Sequence, residues 1–378
     1  MDKDELRAWL RLRMTEGIGN DAARALLACF GSPQAVFEQS DTALRHVVTA
    51  TQAQALQNVP NELAVQCVRT HHWLMHPPTT HRHAVWTLGD DHYPAELLQL
   101  ADPPLLLFVA GQTEHRLGHA IAIVGSRNPT PQGAQTAAQF GEALSAAGLC
   151  VVSGLALGVD GAAHQGALRA SRARDATQSG KDQWRTVAVV GTGLDRVYPR
   201  QHEALAQEIA CQGLLMSEYL LGTPPLAHHF PKRNRLIAAL GLGTLVVEAA
   251  LKSGSLITAQ MALDLNREVL AIPGSIHATQ SHGCHALIRQ GAKLVESAHD
   301  VLEELQLAPA QQIQLFSHTP ATEHHLLAHM GYAPVSLDAL QARSGLDTST
   351  LQAQLFTLEI EGQVGRIAGG LFQRLAST

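Results

Sequence analysis

The sequence predicts an α/β fold, a parallel sheet covered by helices on both faces, preceded by a helical segment and followed by a winged helix. Three observations carry this. Seven short apolar runs rich in β-branched residues (LLLFVAG, IAIVGSR, CVVSG, VAVVGTG, LLMSEY, TLVVEA and EVLAIPG) fall between about residues 84 and 305, and such runs suit strands buried on both faces. Helical stretches such as GAQTAAQFGEALSAAG and SLITAQMALDLN lie between most of them, the alternation that builds a parallel sheet through right-handed crossovers. Three helical stretches and a Gly-containing hairpin, VGRIAGGLFQRL (364–375), come last; that is the pattern of a winged helix.

Taken in order, residues 1–80 read as short helices with no strand pattern. Within them GIGNDAARALLACFG (17–31) has a Gly-turn between two helices, as in a SAM or helix-hairpin-helix-like domain. Such a turn either offers backbone amides to a phosphate or simply joins two helices. The tract HHWLMHPPTTHRH (71–83) reads as a solvated boundary and not as a metal site, because its histidines are irregularly spaced and two prolines interrupt them. The core follows at 84–305, with a polar surface excursion at 170–184. Residues 306–320, QLAPAQQIQLFSHTP, read as a linker to the winged helix at 321–378.

Composition narrows the chemistry. With 46% apolar residues and a formal net charge of −6 over 378 residues, the chain is an ordinary globular protein and not a polycation. Any nucleic-acid site must therefore come from a local concentration of charge. The N-terminal MDKDELRAWL is charged and amphipathic, unlike a secretory signal, and no run of about 18 apolar residues could span a membrane. Five scattered cysteines, an odd number, suit a reducing cytoplasm.

Right-handed crossovers bring the carboxyl ends of parallel strands to one edge, where open α/β sheets bind ligands. At those ends stand Gly125-Ser126-Arg127, Ser153-Gly154, Gly191-Thr192-Gly193, Glu218, Glu248 and Pro273-Gly274, while Gly158–Gly161 and Ser253-Gly254-Ser255 open helices. Helix starts of this kind expose unpaired amides and a positive dipole end. FPKRNR (230–235) places Lys232, Arg233 and Arg235 between the fifth strand and the next helix, within reach of the same edge. Positive charge at a helix start opposes the dipole, a cost that a bound anion would offset. Phe230 beside them is either a stacking platform or a hydrophobic anchor.

The alternatives for that anion fall away one by one. IAIVGSRNPTPQG lacks the Gly-x-Gly-x-x-Gly of a dinucleotide site, and the one Gly-Lys pair, Gly180-Lys181, continues with Asp182 in place of a phosphate-loop Ser or Thr. No nucleophile turn is present. A row of phosphate sites along one edge then suggests a polynucleotide backbone, with no cofactor, no metal and no covalent chemistry.

In order, VGSRNPT, SGLALGVDGAAHQGAL, VVGTGLDRVYPRQH, HFPKRNRLIA, VVEAALKSGSLITAQMA and VLAIPGSI resemble the DNA-processing protein A (DprA/Smf) family, as does LGDDHYPAELLQLADPPLLLFVAG ahead of them. The resemblance spans about 84–300. It implies an extended Rossmann-like core that binds single-stranded DNA in a basic pocket, a homodimer, and loading of the RecA recombinase during natural transformation in the cytoplasm. Carried over by residue, the implied pocket is Gly125, Ser126, Arg127, Ser153, Gly154, Phe230, Lys232, Arg233, Asn234 and Arg235, with Lys252, Ser253, Gly254 and Ser255 nearby. SHGCHALI has His285 where many members have Asn.

Two other classes compete. Nucleotide phosphoribohydrolases of the Lonely Guy type carry Pro-Gly-Gly-x-Gly-Thr-x-x-Glu; here GLGTLVVE keeps Gly243-Thr244, lacks the Pro-Gly-Gly, and places Glu248 one residue late. A one-residue slip on a strand turns a side chain to the other face. A protein-interaction scaffold would leave the basic cluster unexplained. For the winged helix, residues 321–378 carry three Arg and no Lys against five acids, a formal charge of −2, so the module is expected to contact protein and not to read duplex DNA. In its TSTLQAQLFTLEIE stretch, Leu351, Leu355, Phe356 and Leu358 are expected in the core.

Overall fold

The computed structural model describes residues 1–174, 183–307, 325–332, 334–367 and 369–375. The excursion read at 170–184, with its Gly180-Lys181 pair, and the linker read at 306–320 lie largely outside the described residues. Six helices come first: α1 (Lys3–Met14), α2 (Asn20–Phe30), α3 (Pro33–Phe37), α4 (Asp41–Arg45), α5 (Ala50–Gln57) and α6 (Leu63–Met75). Asp2, Ser32, Ser40 and Thr49 cap four of them through side-chain oxygens, satisfying amides that have no partner within the helix.

The core strands are β1 (Arg82–Thr87), β2 (Leu106–Gly111), β3 (Ala120–Val124), β4 (Cys150–Ser153), β5 (Thr186–Val189), β6 (Leu214–Ser217), β7 (Gly243–Val246), β8 (Glu268–Ala271) and β9 (Lys293–Leu294). They form one sheet in the order β1-β2-β6-β5-β4-β3-β7-β8-β9. The seven strands from β6 to β9 in that order are mutually parallel. Two expectations are corrected here. LLLFVAG, read as a parallel strand, runs antiparallel to both β1 and β6, because no crossover helix precedes it. The sheet also has edge strands β1 and β9 that apolar runs do not reveal, since RHAVWT begins with charge and Lys293-Leu294 is two residues long.

Helices α7 (Pro131–Ala146), α8 (Val159–Arg174), α9 (Glu203–Gln212), α10 (His229–Leu240), α11 (Gly254–Asp264), α12 (His282–Arg289) and α13 (Ala298–Glu304) cover the sheet. Strand period two divides β3 cleanly. Ala120, Ala122 and Val124 enter the core shared with α10 and α11, whereas Ile121 and Ile123 enter the one shared with α7, α8 and α13. The N-terminal helices build their own cluster but close it on Val85, Leu106 and Phe108 of the sheet and on Leu105 and Leu221. The His-rich tract is packed at both ends, contrary to the reading of a solvated boundary. α6 continues to Met75, and Trp73 stacks on His83 with centroids 4.0 Å apart. Among the described residues no group of three or more His, Cys, Asp or Glu could hold a metal ion, and no helix is long and apolar enough to cross a membrane. All five cysteines are free.

The last module holds α14 (His325–Met330), α15 (Leu337–Ser344) and α16 (Thr348–Ile360) with strands β10 (Val335–Ser336), β11 (Val364–Ile367) and β12 (Leu371–Arg374), in the sheet order β10-β12-β11. Leu351, Leu355 and Leu358 are buried, as helical spacing requires. Phe356 is 59% exposed, a correction: one residue past Leu355, it is turned about 100° from the buried stripe.

Candidate nucleic-acid interface

From β3 the chain winds through α7, β4, α8, β5 and α9 to β6, then returns by α10 to place β7 on the other side of β3. The strand order reverses between β3 and β7, and at such a switch point the loops diverge and leave a crevice. It is present, with a volume of about 510 Å³. Gly125, Ser126 and Arg127 after β3 form one wall. Lys252 and Ser253 ahead of α11, with Gly254 and Ser255 at its start, form another, and Phe230, Arg233 and Asn234 of α10 form a third.

The cations in this cleft are in different states. Arg127 and Lys252 are exposed, and neither has an ion pair among the described residues. Arg233 is 3% exposed and donates to the carbonyls of Gly154 and Val189. Asp160 lies beside it, its carboxylate accepting from the amides of Gly154 (3.1 Å) and Ala156 (3.3 Å). Burial pushes the Asp160 carboxyl above its ordinary value, with Arg233 and the two amides opposing. Burial likewise pulls Arg233 down to about 10, with Asp160 opposing, so the guanidinium stays charged at neutral pH. A side chain at Gly154 would collide with that guanidinium, which explains the glycine. Ser253 caps α11, its hydroxyl accepting from the Ser255 amide at 3.3 Å and its carbonyl from the Leu256 amide at 3.2 Å, satisfying two of the first-turn amides.

Two of the anticipated cations are elsewhere. FPKRNR lies inside the first two turns of α10, not ahead of the helix. Phe230, Arg233, Asn234 and Ile237 follow helical spacing and line the cleft, whereas Lys232 and Arg235 do not. Arg235 forms a buried pair with Glu218 beyond the end of β6. Burial raises the Glu218 carboxyl while Arg235, Lys232 and Arg13 oppose, placing Lys232 on that same side. Ser153 is fully buried and donates to the Ile123 carbonyl at 2.6 Å; it supports the loop and does not reach the cleft. Gly154 lies at the edge, in a small notch of about 60 Å³ that shares Arg127, Ala156, Phe230 and Arg233 with the cleft.

Beyond β7 a second crevice, about 300 Å³, opens at the same edge. Here Glu248 accepts from the Thr130 amide (2.9 Å) and hydroxyl (2.6 Å) at the start of α7, and its carboxylate fills the space a side chain at Gly133 would need. Tyr332, Pro334 and Gln373 of the last module cover it. His285 lies nearby, its Nε2 3.0 Å from the Gly274 carbonyl. Sequence reasoning missed Asp160, Tyr198 and Gln280. Asp160 lies in the first turn of α8 and Tyr198 in the loop before Pro199, and their convergence on α10 is a tertiary fact.

The family model for DNA recombination-mediator protein A matches residues 84–306, and that for the DprA winged helix domain matches 306–370. The chain belongs to the DNA recombination-mediator protein A (DprA/Smf) family. Within it, Protein Smf of Escherichia coli K12 is 36% identical over 380 residues, covering 96% of this chain and 94% of its own. DNA processing protein DprA of Streptococcus pneumoniae R6 is 45% identical over 221 residues, 58% of this chain and 74% of its own. The solved structure of pneumococcal DprA superposes with a TM-score of 0.64 at 34% identity, covering 80% of this chain and 98% of that one. The Helicobacter pylori DprA structure, described for its single-stranded DNA binding mode, gives 0.50 at 28% identity over 59% of this chain and 95% of that one. The Rossmann-like core and the winged helix are thus those of DprA proteins.

Proposed function

We propose that this chain binds single-stranded DNA without sequence preference in the cleft at the switch point, through Arg127, Arg233, Asn234 and Lys252, the turn Gly125-Ser126 and the α11 start at Ser253, Gly254 and Ser255, with Phe230 as a platform. One observation carries the reading: Arg127 and Lys252 stand unpaired on facing walls of an open cleft where Asp160 is the one carboxylate and is already matched by Arg233. Cations left without partners there await a diffuse anion, and no base-reading pattern accompanies them. The single-stranded DNA binding of the H. pylori relative supports the same assignment. Lys232 and Arg235 are left outside the primary contact set, since Arg235 is committed to Glu218.

On this reading the chain acts as a cytoplasmic homodimer that protects an incoming strand and loads the RecA recombinase in natural transformation, without catalysis of its own. The phosphoribohydrolase alternative lacks support, because Glu248 is engaged by Thr130, the N-cap residue of α7, outside the cleft. Titration of the full chain with labelled dT oligomers at several salt concentrations tests the reading. Log affinity should fall linearly with log salt, by about 0.7 per phosphate contact. RecA filament growth on strands covered by single-strand-binding protein should be faster in its presence. Salt-independent or absent binding would overturn the proposal.

A further inference from the structure

Far from the cleft, the N-terminal helices leave an open groove of about 390 Å³ between α1 and α6. Lys3 and the buried Leu6 form one side of it, and Cys67, Val68 and Met75, interspersed with histidines, form the other. Val68 and Met75 are 72% and 63% exposed. Val65, Val68, His72 and Met75 are all exposed and recur every three or four residues, so they share one outward face of α6. A surface helix ordinarily turns charge to water there. No carboxylate lines the groove. Lys3 has no ion pair among the described residues, and Arg7, one turn further along α1, is close enough to act on the Cys67 thiol.

At the other end of the chain lies a face of complementary character. Ala353, Phe356 and Ile360 make an exposed apolar stripe on α16, with the spacing that anchors a helix in an apolar groove. Its margin is acidic. Glu361 is exposed with no ion pair among the described residues, and Glu359 on the same turn pairs with Arg366. One chain does not join the two faces. α6 packs on β1, where Trp73 meets His83, whereas the last module is seated on the start of α7, which packs on β3. β1 and β3 are five strand positions apart, about 24 Å across the sheet. Both apolar stripes therefore stay wet in a single copy, and exposed patches of this kind mark contacts with protein.

We infer that α16 of one copy docks in the α1–α6 groove of a second copy, with Phe356 and Ile360 against Leu6, Val68 and Met75, and Glu361 toward Lys3 and Arg7. The two surfaces differ, so the contact is head to tail: a copy that gives its α16 keeps its own groove free for another. An isologous two-fold patch would instead meet itself. A contact of one helix in one groove belongs to the small, reversible class of interfaces. It goes beyond the DNA reading of the cleft and does not depend on it.

The experiment follows the mass of the full chain by sedimentation at rising concentration, without DNA. The mass should climb with concentration beyond any fixed stoichiometry. Phe356→Ser and Val68→Asp, both at exposed positions, should each abolish the climb while unfolding at the wild-type temperature. Mixed one to one, the two variants should associate again, because one supplies an intact groove and the other an intact α16. A constant mass for the wild type, loss in only one variant, or no recovery on mixing would overturn the pairing. As a check on the contact itself, Ile360→Cys treated with a short bismaleimide should link the introduced thiol to Cys67 of another chain. Val68→Asp in that background should reduce the link by about tenfold, as for an interface anchor. A link within one chain, or none to Cys67, would also overturn it. Single-strand titrations should be the same for both variants, so failure of the pairing leaves the DNA reading standing.

Discussion

Two crevices lie on either side of β7 at the same edge of the same sheet, and they have opposite fates. In one, α11 starts from a serine cap, Lys252 and Arg127 stand unpaired, and the cavity is open. In the other, α7 starts against a carboxylate supplied by the chain itself, and the last module covers the opening. Both helix starts are potential anion sites. The difference is that Glu248 already occupies one. A strand end with a helix start is therefore not enough to make a ligand site; what matters is whether the protein has left its positive charge unmatched.

The harshest way to break the contrast is to remove Arg233 and, separately, Arg235. Arg235 is ion-paired with Glu218, whereas buried Arg233 donates to the Gly154 and Val189 carbonyls and offsets the charge of nearby Asp160; leaving a buried charge without its partner costs about 3–5 kcal/mol. Chemical denaturation should show losses of that order for both Arg233→Ala and Arg235→Ala. Under conditions where each variant remains folded, only Arg233→Ala should lose DNA affinity. Equal losses of affinity would mean that the two faces of α10 are not functionally distinct. A milder intervention is Arg127→Ala with Lys252→Ala. Both side chains are exposed, so stability should change by less than about 0.5 kcal/mol. The slope of log affinity against log salt should fall by about 0.7 for each contact removed. An unchanged slope in the folded double variant would dissociate these cations from the strand.

How much of this was legible beforehand follows from what each signal encodes. Apolar runs marked seven strands because a strand buried on both faces has no polar side to spare, as in β3, where all five residues are buried. The same criterion passed over β1 and β9, whose edge positions allow Arg82 and Lys293. Turn glycines located the edge of the sheet, and the cleft residues Gly125 to Arg127 and Ser253 to Ser255 follow from it. Local sequence could not separate Arg233 from Arg235. Two residues on a helix are about 200° apart, and which direction meets the cleft depends on where α10 packs. Glu248 stood out in sequence by its one-residue displacement, yet the bonds it accepts come from Thr130, the N-cap residue of α7, 118 residues away in sequence.

Glu248 gives a smaller and pH-dependent effect. Glu248→Ala removes the acceptor for both Thr130 donors, at about 1–3 kcal/mol for partly buried donors left unpaired, with DNA affinity unchanged. Burial holds this carboxyl above its ordinary value of 4.5, against the Thr130 hydrogen bonds. As pH falls, the folded chain therefore takes the proton before the unfolded chain does. The contribution of this group to stability is full below 4.5 and is lost as pH rises through the folded value. Measured from pH 7 toward pH 5, the wild type should gain stability relative to Glu248→Gln. A relative loss on acidification would reverse the sign and contradict the burial.

The smallest effect is expected from the module that covers the second crevice. It touches the core where Gln373 donates to Gln132 at 2.8 Å and where Gly365 packs on Pro131, both away from the cationic cleft. Within α16 there is no Lys or Arg, and Glu359 is paired with Arg366 of β11 at 3.1 Å. The helix face turned outward carries Phe356 and Ile360, 59% and 72% exposed. Against a phosphate backbone such a face offers no cation and, beside these apolar residues, the amide of exposed Gln352, whereas apolar side chains four residues apart suit contact with protein. Truncation after residue 310 should therefore change single-strand affinity by less than about twofold. Phe356→Ser should leave stability within about 0.5 kcal/mol, as for other exposed positions. The isolated module, checked first for a cooperative thermal transition, should show no salt-dependent binding to duplex DNA at neutral pH. Tight duplex binding by the folded module would show that its net negative charge does not govern what it meets.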